Sequence, residues 1–247
     1  MAFSATISAD MRSVARFVMN RFEMTLKVKA ISGLIWLVFI LGLSLFIPAG
    51  TFRYWQAWVY LFLFGGCSFL ITLFLMKRDM ELLKRRLKAG AAAEEERSQK
   101  IIQAIAGILF ICIFLMPGLD HRFKWSDVPV YLVITGEIFV IVGFFIVFRT
   151  FRENSYTSAT IEIAENQPVI STGPYAVVRH PMYSGALLML LFTPIALGSF
   201  WDLFFVALIF AVIIWRLLDE EKFLSKYLSG YLDYCHKTRF RLIPGIW

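Results

Sequence analysis

Several uninterrupted apolar runs dominate this sequence, and each is about as long as a helix that crosses a bilayer. Residues 30–48 read AISGLIWLVFILGLSLFIP, without one charged side chain. A helix needs about 20 such residues to cross a hydrocarbon core roughly 30 Å thick. The chain is 59% hydrophobic with a mean hydropathy of +0.68, which leaves too little polar surface for a soluble domain of this size. We therefore predict an all-α, polytopic transmembrane helix bundle.

The apolar runs predict about six spans and three regions along the chain. The spans are predicted at 30–48, 54–76, 101–118, 128–148, 183–199 and 201–218. The regions are a cytoplasmic amphipathic segment at 1–29, N-terminal transmembrane helices at 30–126 and a catalytic region resembling a methyltransferase at 127–247.

Two features of the N-terminal regions and two of the last spans carry structural expectations. Val14, Phe17, Val18 and Phe22 fall near helical spacing, which predicts a surface helix. The charged stretch at 77–100 is interpreted as a solvated helical hairpin at the lipid headgroups. Pro194 is expected to kink the fifth span. Residues 198–202, GSFWD, are expected to form a tight hairpin between the last two spans.

The distribution of basic residues predicts the orientation. With six spans and the N-terminus inside, 22 of the 25 Lys and Arg residues lie in cytoplasmic segments, and such an excess marks the cytoplasmic side. Both termini are therefore predicted to be cytoplasmic. The net charge of +7 is attributed to these loops and to anionic lipid rather than to nucleic acid. The three cysteines form no CxxC pair, so the sequence suggests neither disulfides nor a metal site.

Two polar clusters flank the last two spans. The first is the turn-rich loop 165–185, ENQPVISTGPYAVVRHPMYSG, in which Pro181 suits the first turn of a helix. Arg179 and His180 then lie where the fifth span begins, and free N–H groups there favour an anion. The second cluster contains Arg216 and Glu220, which are four residues apart and share a helical face. A surface ion pair and a hydrogen-bonded loop histidine are the alternative, purely structural interpretations of these residues.

The run GPYAVVRHPMYSG, followed by RLLDEE and then YLSGYLDY, resembles the isoprenylcysteine carboxyl methyltransferase family. Relatives of that family include phospholipid methyltransferases, and the resemblance covers about residues 140–247. One departure is Leu228-Ser229-Gly230-Tyr231, which stands where eukaryotic members have a Phe-Gly pair. The resemblance implies an integral membrane enzyme that binds S-adenosylmethionine in a pocket of its C-terminal helices and loops, facing the cytoplasm.

The resemblance also implies a set of site residues. Those expected to bind the cofactor are Gln167, Pro168, Val169, Ile170, Gly173, Tyr175, Arg179, His180, Pro181, Met182, Tyr183, Glu220 and Glu221. It leaves open whether Glu220 or Glu221 points inward. Arg216 and Glu220 are the predicted catalytic residues, and Arg216 is expected to hold one oxygen of the acceptor.

The residue types suit this chemistry. Tyrosine rings attract a cation or stack on adenine, a carboxylate pairs with an ammonium group, and Arg179 or His180 receives a carboxylate. A carboxylate acceptor is already ionised, so positioning and exclusion of water should supply most of the acceleration. Lipids and a lipophilic or prenylated substrate are the expected partners, with no nucleic acid and no metal.

Three further polar residues lie near the fourth span. Glu137 falls in its middle, where an ionisable side chain usually faces the bundle interior or a pathway. The alternative is a protonated carboxyl that bonds a nearby backbone. Glu137 and Asn154 are tentative substrate-binding residues, and Asn154 and Arg152 are expected near the same cytoplasmic opening.

Other functions remain open. The acceptor is most simply the carboxylate of an isoprenylcysteine-like substrate, but a lipid amine or a small thiol is an alternative, because similarity of fold does not fix the substrate. Sterol reductases that use NADPH have a similar C-terminal architecture. A transporter or assembly factor is a third class, against which the near absence of charges within the spans argues.

Overall fold

The structure, a computed structural model, describes residues 2–94 and 96–247 and the side chains from residue 21 onward. Its described part is all-helical without strands, so the predicted helix bundle is confirmed. The α-helices are α1 Ala2–Ala49, α2 Trp55–Arg78, α3 Met80–Leu87, α4 Arg97–Phe123, α5 Val130–Glu153, α6 Pro181–Ala196, α7 Leu203–Tyr227 and α8 Tyr231–Lys237. Short 3-10 turns lie at Ala91–Ala93 and Gly173–Ala176.

Four helices in the described part are long and apolar enough to span a bilayer. They are Arg21–Ala49, Trp55–Arg78, Arg97–Phe123 and Val130–Glu153. Their outward faces carry large apolar side chains, such as Phe62 with 79% of its surface exposed, as lipid contact requires. Helix α6 is shorter, with 16 residues. The count of six spans and the cytoplasmic location of both termini stay predictions.

Helix α1 is continuous from Ala2 to Ala49, without a break between the predicted surface segment and the first span. Phe22 is exposed on it, whereas the side chains of Val14, Phe17 and Val18 lie outside the described residues. The amphipathic role of segment 1–29 therefore stays a prediction.

Helices α5 and α6 are antiparallel and approach closely through glycines. A Cβ atom on Gly143 would lie 2.7 Å from the carbonyl oxygen of Gly185, and one on Gly185 would lie 2.8 Å from that of Gly143. Gly136 meets the backbone of Ala196 in the same way. Small residues at a helix crossing allow this approach in membranes. Because α5 leads into the polar loop 154–180 and α6 leads out of it, the crossing fixes the base of that loop.

The turn between α6 and α7 forms where the sequence predicts it. Gly198 has a φ of +75°, a conformation that favours glycine. The predicted kink at Pro194 is wrong, because Pro194 lies in the last turn of α6 and the helix ends two residues later. Asp120 of α4 ties this turn down by accepting hydrogen bonds from Ser126 and Ser199.

Candidate active site

One cavity of about 640 Å³ extends from the loops that follow α5 into the interior of the bundle. This volume lies within the range of about 300–1,000 Å³ that is typical of small-molecule sites. Its loop end, here called the polar chamber, is lined by Tyr175, His180, Tyr183 and Glu220 among others. Its deep end, the apolar shaft, runs between α2, α4, α5, α6 and α7 and is lined by Tyr60, Phe64, Phe110, Phe144, Val147, Ala186 and Met189, among others.

The loop that follows α5 is shaped by its own side chains. The Asn154 side chain accepts a hydrogen bond from the backbone N–H of Tyr156 (2.8 Å) and donates one to the Tyr175 hydroxyl (3.0 Å). Burial raises the pKa of Tyr175, so this hydroxyl stays protonated. Gly173 has a φ of +57° beside Glu153, which explains the tight turn before Pro174. Gly173 itself does not line the cavity.

The start of α6 is anchored to the C-terminal segment. The backbone N–H groups of Arg179 and His180 donate to the carbonyls of Phe240 and Arg241, at 2.9 and 3.0 Å. The Arg179 guanidinium adds bonds to the carbonyls of Thr238 and Arg239. Pro181 is the first residue of α6, as the sequence predicts. These contacts hold the RHPMY segment against the chamber wall.

Glu221 lies at the centre of a buried ionic cluster. Its carboxylate is 2.9 Å from Arg179 Nη1, 3.2 Å from His180 Nε2 and 2.8 Å from Arg241 Nε. Burial alone would raise the pKa of Glu221, but the hydrogen bonds and charges of these three partners lower it to about 2. Glu221 does not line the cavity. The cluster therefore joins α7, the start of α6 and the C-terminal segment.

Glu220, in contrast, lines the polar chamber. Its Oε2 accepts a hydrogen bond of 2.7 Å from the Tyr183 hydroxyl, which in turn accepts one of 3.1 Å from Arg216 Nε. Within the described part of the chain, Glu220 makes no ion pair with Lys, Arg or His. Of the two neighbouring carboxylates, Glu220 is thus the one that faces a ligand.

Arg216 is 9% exposed and is already engaged by the protein. Its Nη1 donates to Gln99 Oε1 (2.9 Å), and its Nη2 donates to the Ala159 carbonyl (2.9 Å) and lies 2.8 Å from Glu94 Oε1. With the bond to Tyr183, every guanidinium nitrogen has a partner. The expectation that Arg216 holds the acceptor stays a prediction, and an acceptor oxygen would have to displace one of these contacts.

The stretch 77–100 does not form the solvated hairpin that its charges suggest, and that interpretation is wrong. Leu82 is fully buried, and Glu94 and Gln99 are 4% and 3% exposed. Arg85 and Arg86 donate to the carbonyls of Ser155 and Ser158. The stretch packs on the loop that follows α5 because the amphipathic helix α3 buries its leucines and directs its arginines toward loop carbonyls. Sequence reasoning missed Arg86, Glu94 and Gln99.

The remaining predicted residues fall into two groups. Those that line the cavity are Asn154, Gln167, Pro168, Val169, Ile170, Tyr175, Arg179, His180, Pro181, Met182, Tyr183, Arg216 and Glu220. Gly173, Glu221 and Glu137 do not line it. Glu137 is 5% exposed in α5, without a hydrogen-bond partner among the described residues, so its assignment to substrate has no support from its position.

Comparison with known proteins finds similarity over the C-terminal part of the chain. The family model for phospholipid methyltransferase matches residues 131–229. The chain is 27% identical over 144 residues to Protein-S-isoprenylcysteine O-methyltransferase B of Arabidopsis thaliana, covering 56% of this chain and 66% of that protein. It is 29% identical over 132 residues to Protein-S-isoprenylcysteine O-methyltransferase A of the same plant, covering 51% and 63%.

A reductase is also similar. The chain is 31% identical over 107 residues to the Delta(14)-sterol reductase TM7SF2 of Mus musculus, which covers 40% of this chain and 26% of the reductase. The chain thus spans about a quarter of that reductase and a little under two thirds of each plant methyltransferase. The resemblance predicted from RHPMYSG and RLLDEE is confirmed: the chain is similar to isoprenylcysteine O-methyltransferases, and the phospholipid methyltransferase model matches the region that holds both motifs.

Proposed function

We propose that this protein transfers the methyl group of S-adenosylmethionine to a lipophilic acceptor, most simply the carboxylate of an isoprenylcysteine-like compound. One observation carries the proposal: the polar chamber, with an unpaired carboxylate at Glu220, is continuous with the apolar shaft. A polar cofactor and an apolar acceptor thus share one cavity. The similarity to isoprenylcysteine methyltransferases supports the same reaction.

The residues of the polar chamber fit the cofactor. S-Adenosylmethionine carries a sulfonium and an ammonium cation, and it would supply the electrophilic methyl group. Glu220 provides a negative charge without an ion-pair partner, and the rings of Tyr175 and Tyr183 provide faces that attract cations. Val169, Ile170, Leu224 and Leu228 line the same cavity and offer apolar surface for an adenine ring.

The protein's contribution to the reaction is to position the reactants and exclude water. Methyl transfer to a carboxylate needs no general base, because the acceptor oxygen is already ionised. The buried network from Gln99 and Glu94 through Arg216 and Tyr183 fixes the Glu220 carboxylate. A fixed charge in a site shielded from water acts more strongly than one in solvent.

The similarity to a sterol reductase makes NADPH the second candidate cofactor. The charges of the chamber argue against it. Two of its arginines, Arg179 and Arg216, are paired with Glu221 and Glu94, and Glu220 would repel the phosphates of NADPH.

The test uses purified protein in lipid nanodiscs. Isothermal titration should detect binding of S-adenosylhomocysteine and none of NADPH. Incubation with methyl-labelled S-adenosylmethionine should label an S-prenylcysteine acid as a base-labile ester. Amine lipids and small thiols, offered in parallel, test the alternative acceptors. Binding of NADPH without S-adenosylhomocysteine would overturn the methyltransferase assignment.

A further inference from the structure

Arg86 is held at the cavity wall by the fold of α3. The Asp79 carboxylate caps this helix by accepting a hydrogen bond of 2.9 Å from the N–H of Leu82. Leu82 and Leu83, 0% and 3% exposed, pack α3 onto the bundle. The Arg86 side chain therefore points inward and lines the cavity, although the sequence around it resembles an ordinary charged surface helix.

The charge of Arg86 has no counter-charge in the protein. Its Nη1 contacts the Ser158 carbonyl at 3.1 Å and the Met182 sulfur at 3.4 Å, and its guanidinium carbon lies 5.1 Å from the centre of the Phe151 ring. Within the described residues no carboxylate pairs with it, unlike Arg179 and Arg216. Burial lowers the pKa of Arg86, yet a guanidinium stays charged in proteins. A buried charge without a partner is costly unless a ligand supplies one.

Arg86 also lies where the polar chamber meets the apolar shaft. Its neighbours Phe151 and Met182 belong to the same apolar cluster as Val147 and Met189, and Val147 and Met189 line the shaft. Thr193, near the other end of α6, also lines the cavity. It is 12 residues beyond Pro181, which corresponds to about 18 Å along the helix. A ligand with an anionic head at Arg86 can therefore extend an apolar chain into the bundle.

We propose that Arg86 binds the carboxylate of the methyl acceptor and thereby selects lipophilic acids over lipophilic amines. This inference rests on the proposed function. Arg86 has a free part of its fork to offer, whereas each nitrogen of Arg216 has a protein partner. Planar guanidinium groups bind carboxylates by two parallel hydrogen bonds.

The reaction balances without a proton transfer. One carboxylate oxygen forms a bond to the methyl carbon as the carbon–sulfur bond breaks, and the electron pair of that bond goes to sulfur. The products are a neutral ester and the neutral thioether of S-adenosylhomocysteine. Because the ester has lost its charge, Arg86 binds it less tightly than the acid, which favours release of the product.

The test compares an S-prenylcysteine acid with its methyl ester as ligands in nanodiscs. The wild type should bind the acid at least about tenfold more tightly than the ester, since hydrogen bonds to charged groups contribute on this scale. Arg86→Met should remove this preference, and Arg86→Lys should restore part of it. Arg85→Met is the matched control, because Arg85 also donates to a loop carbonyl, at 3.0 Å, but does not line the cavity.

Titration with S-adenosylhomocysteine separates the possible failures. If the wild type does not bind it, the proposed function fails. If it binds equally to wild type and Arg86→Met while the variant still prefers the acid, only the role of Arg86 is overturned. If Arg86→Met instead loses S-adenosylhomocysteine affinity and keeps its acid preference, Arg86 binds the carboxylate of the cofactor, and the acceptor assignment is wrong.

Discussion

The carboxylate of Glu94 lies 2.8 Å from Nη2 of Arg216, although 121 positions separate the two residues in the sequence. Glu94 also accepts hydrogen bonds from the Ile161 backbone and the Gln103 side chain. It thus connects the segment between α3 and α4 with both the loop that follows α5 and α7. This ion pair is the buried link between the N-terminal and C-terminal halves at the polar chamber.

Replacing Glu94 with Gln should destabilise the protein. The buried Arg216 would lose its counter-charge, and breaking a buried pair from one side costs about 3–5 kcal/mol. The unfolding temperature in nanodiscs should then fall by several degrees. A double-mutant cycle with Arg216→Gln is the control. If the two losses simply add, the ion pair contributes nothing, and this account of the link is wrong.

Tyr183→Phe should weaken cofactor binding while leaving the fold intact. The variant removes only the hydroxyl that bridges Arg216 and Glu220. Loss of hydrogen bonds to charged groups predicts about tenfold weaker binding of S-adenosylhomocysteine by titration. Tyr227→Phe, at an exposed position of the same helix, should bind like the wild type. Equal affinity in both variants would remove Tyr183 from the cofactor site.

The stability of the protein should depend on Glu221 at acidic pH. Because the pKa of this carboxyl falls from its ordinary 4.5 to about 2 in the folded state, its stabilising contribution is complete above pH 4.5. It is lost as the pH falls toward 2. Unfolding temperatures measured across this window should decline less steeply in Glu221→Gln than in the wild type. Glu81→Gln, at an exposed position in α3, should keep the wild-type slope.

Gly185→Ala should destabilise the crossing of α5 and α6. The added methyl group would lie 2.8 Å from the Gly143 carbonyl oxygen, and overpacking of this kind costs about 1–3 kcal/mol. Thermal unfolding should show the loss. Gly66→Ala is the matched control, because a Cβ on Gly66 would meet no atom within 4 Å. Unchanged stability of Gly185→Ala would mean that the two helices can separate without cost.

The sequence predicts the helical bundle and much of the cavity wall, because both depend on local patterns. Apolar runs of bilayer length indicate helices, and RHPMYSG and RLLDEE stand at the ends of two neighbouring helices. The turn at Gly173 and the helix start at Pro181 also follow from local chemistry.

The roles of Arg86, Glu94 and Gln99 could not be predicted in this way. They lie in a run of alternating charges, and such a run looks the same whether it is solvated or packed against a distant loop. The only local signal is the amphipathic pattern of α3, in which Leu82 and Leu83 are buried. Glu137 shows the opposite error, because a carboxylate in an apolar helix suggested a substrate site, whereas the structure places it away from the cavity.

The dependence of the chamber on Glu94 and Gln99 limits how this protein can be engineered. The region matched by the methyltransferase family model begins at residue 131, so a fragment cut there would discard Arg86 and both residues that hold the guanidinium of Arg216. A chimera that exchanges only the matched region would pair one protein's wall with another protein's braces. Recombination points should therefore be chosen upstream of α3.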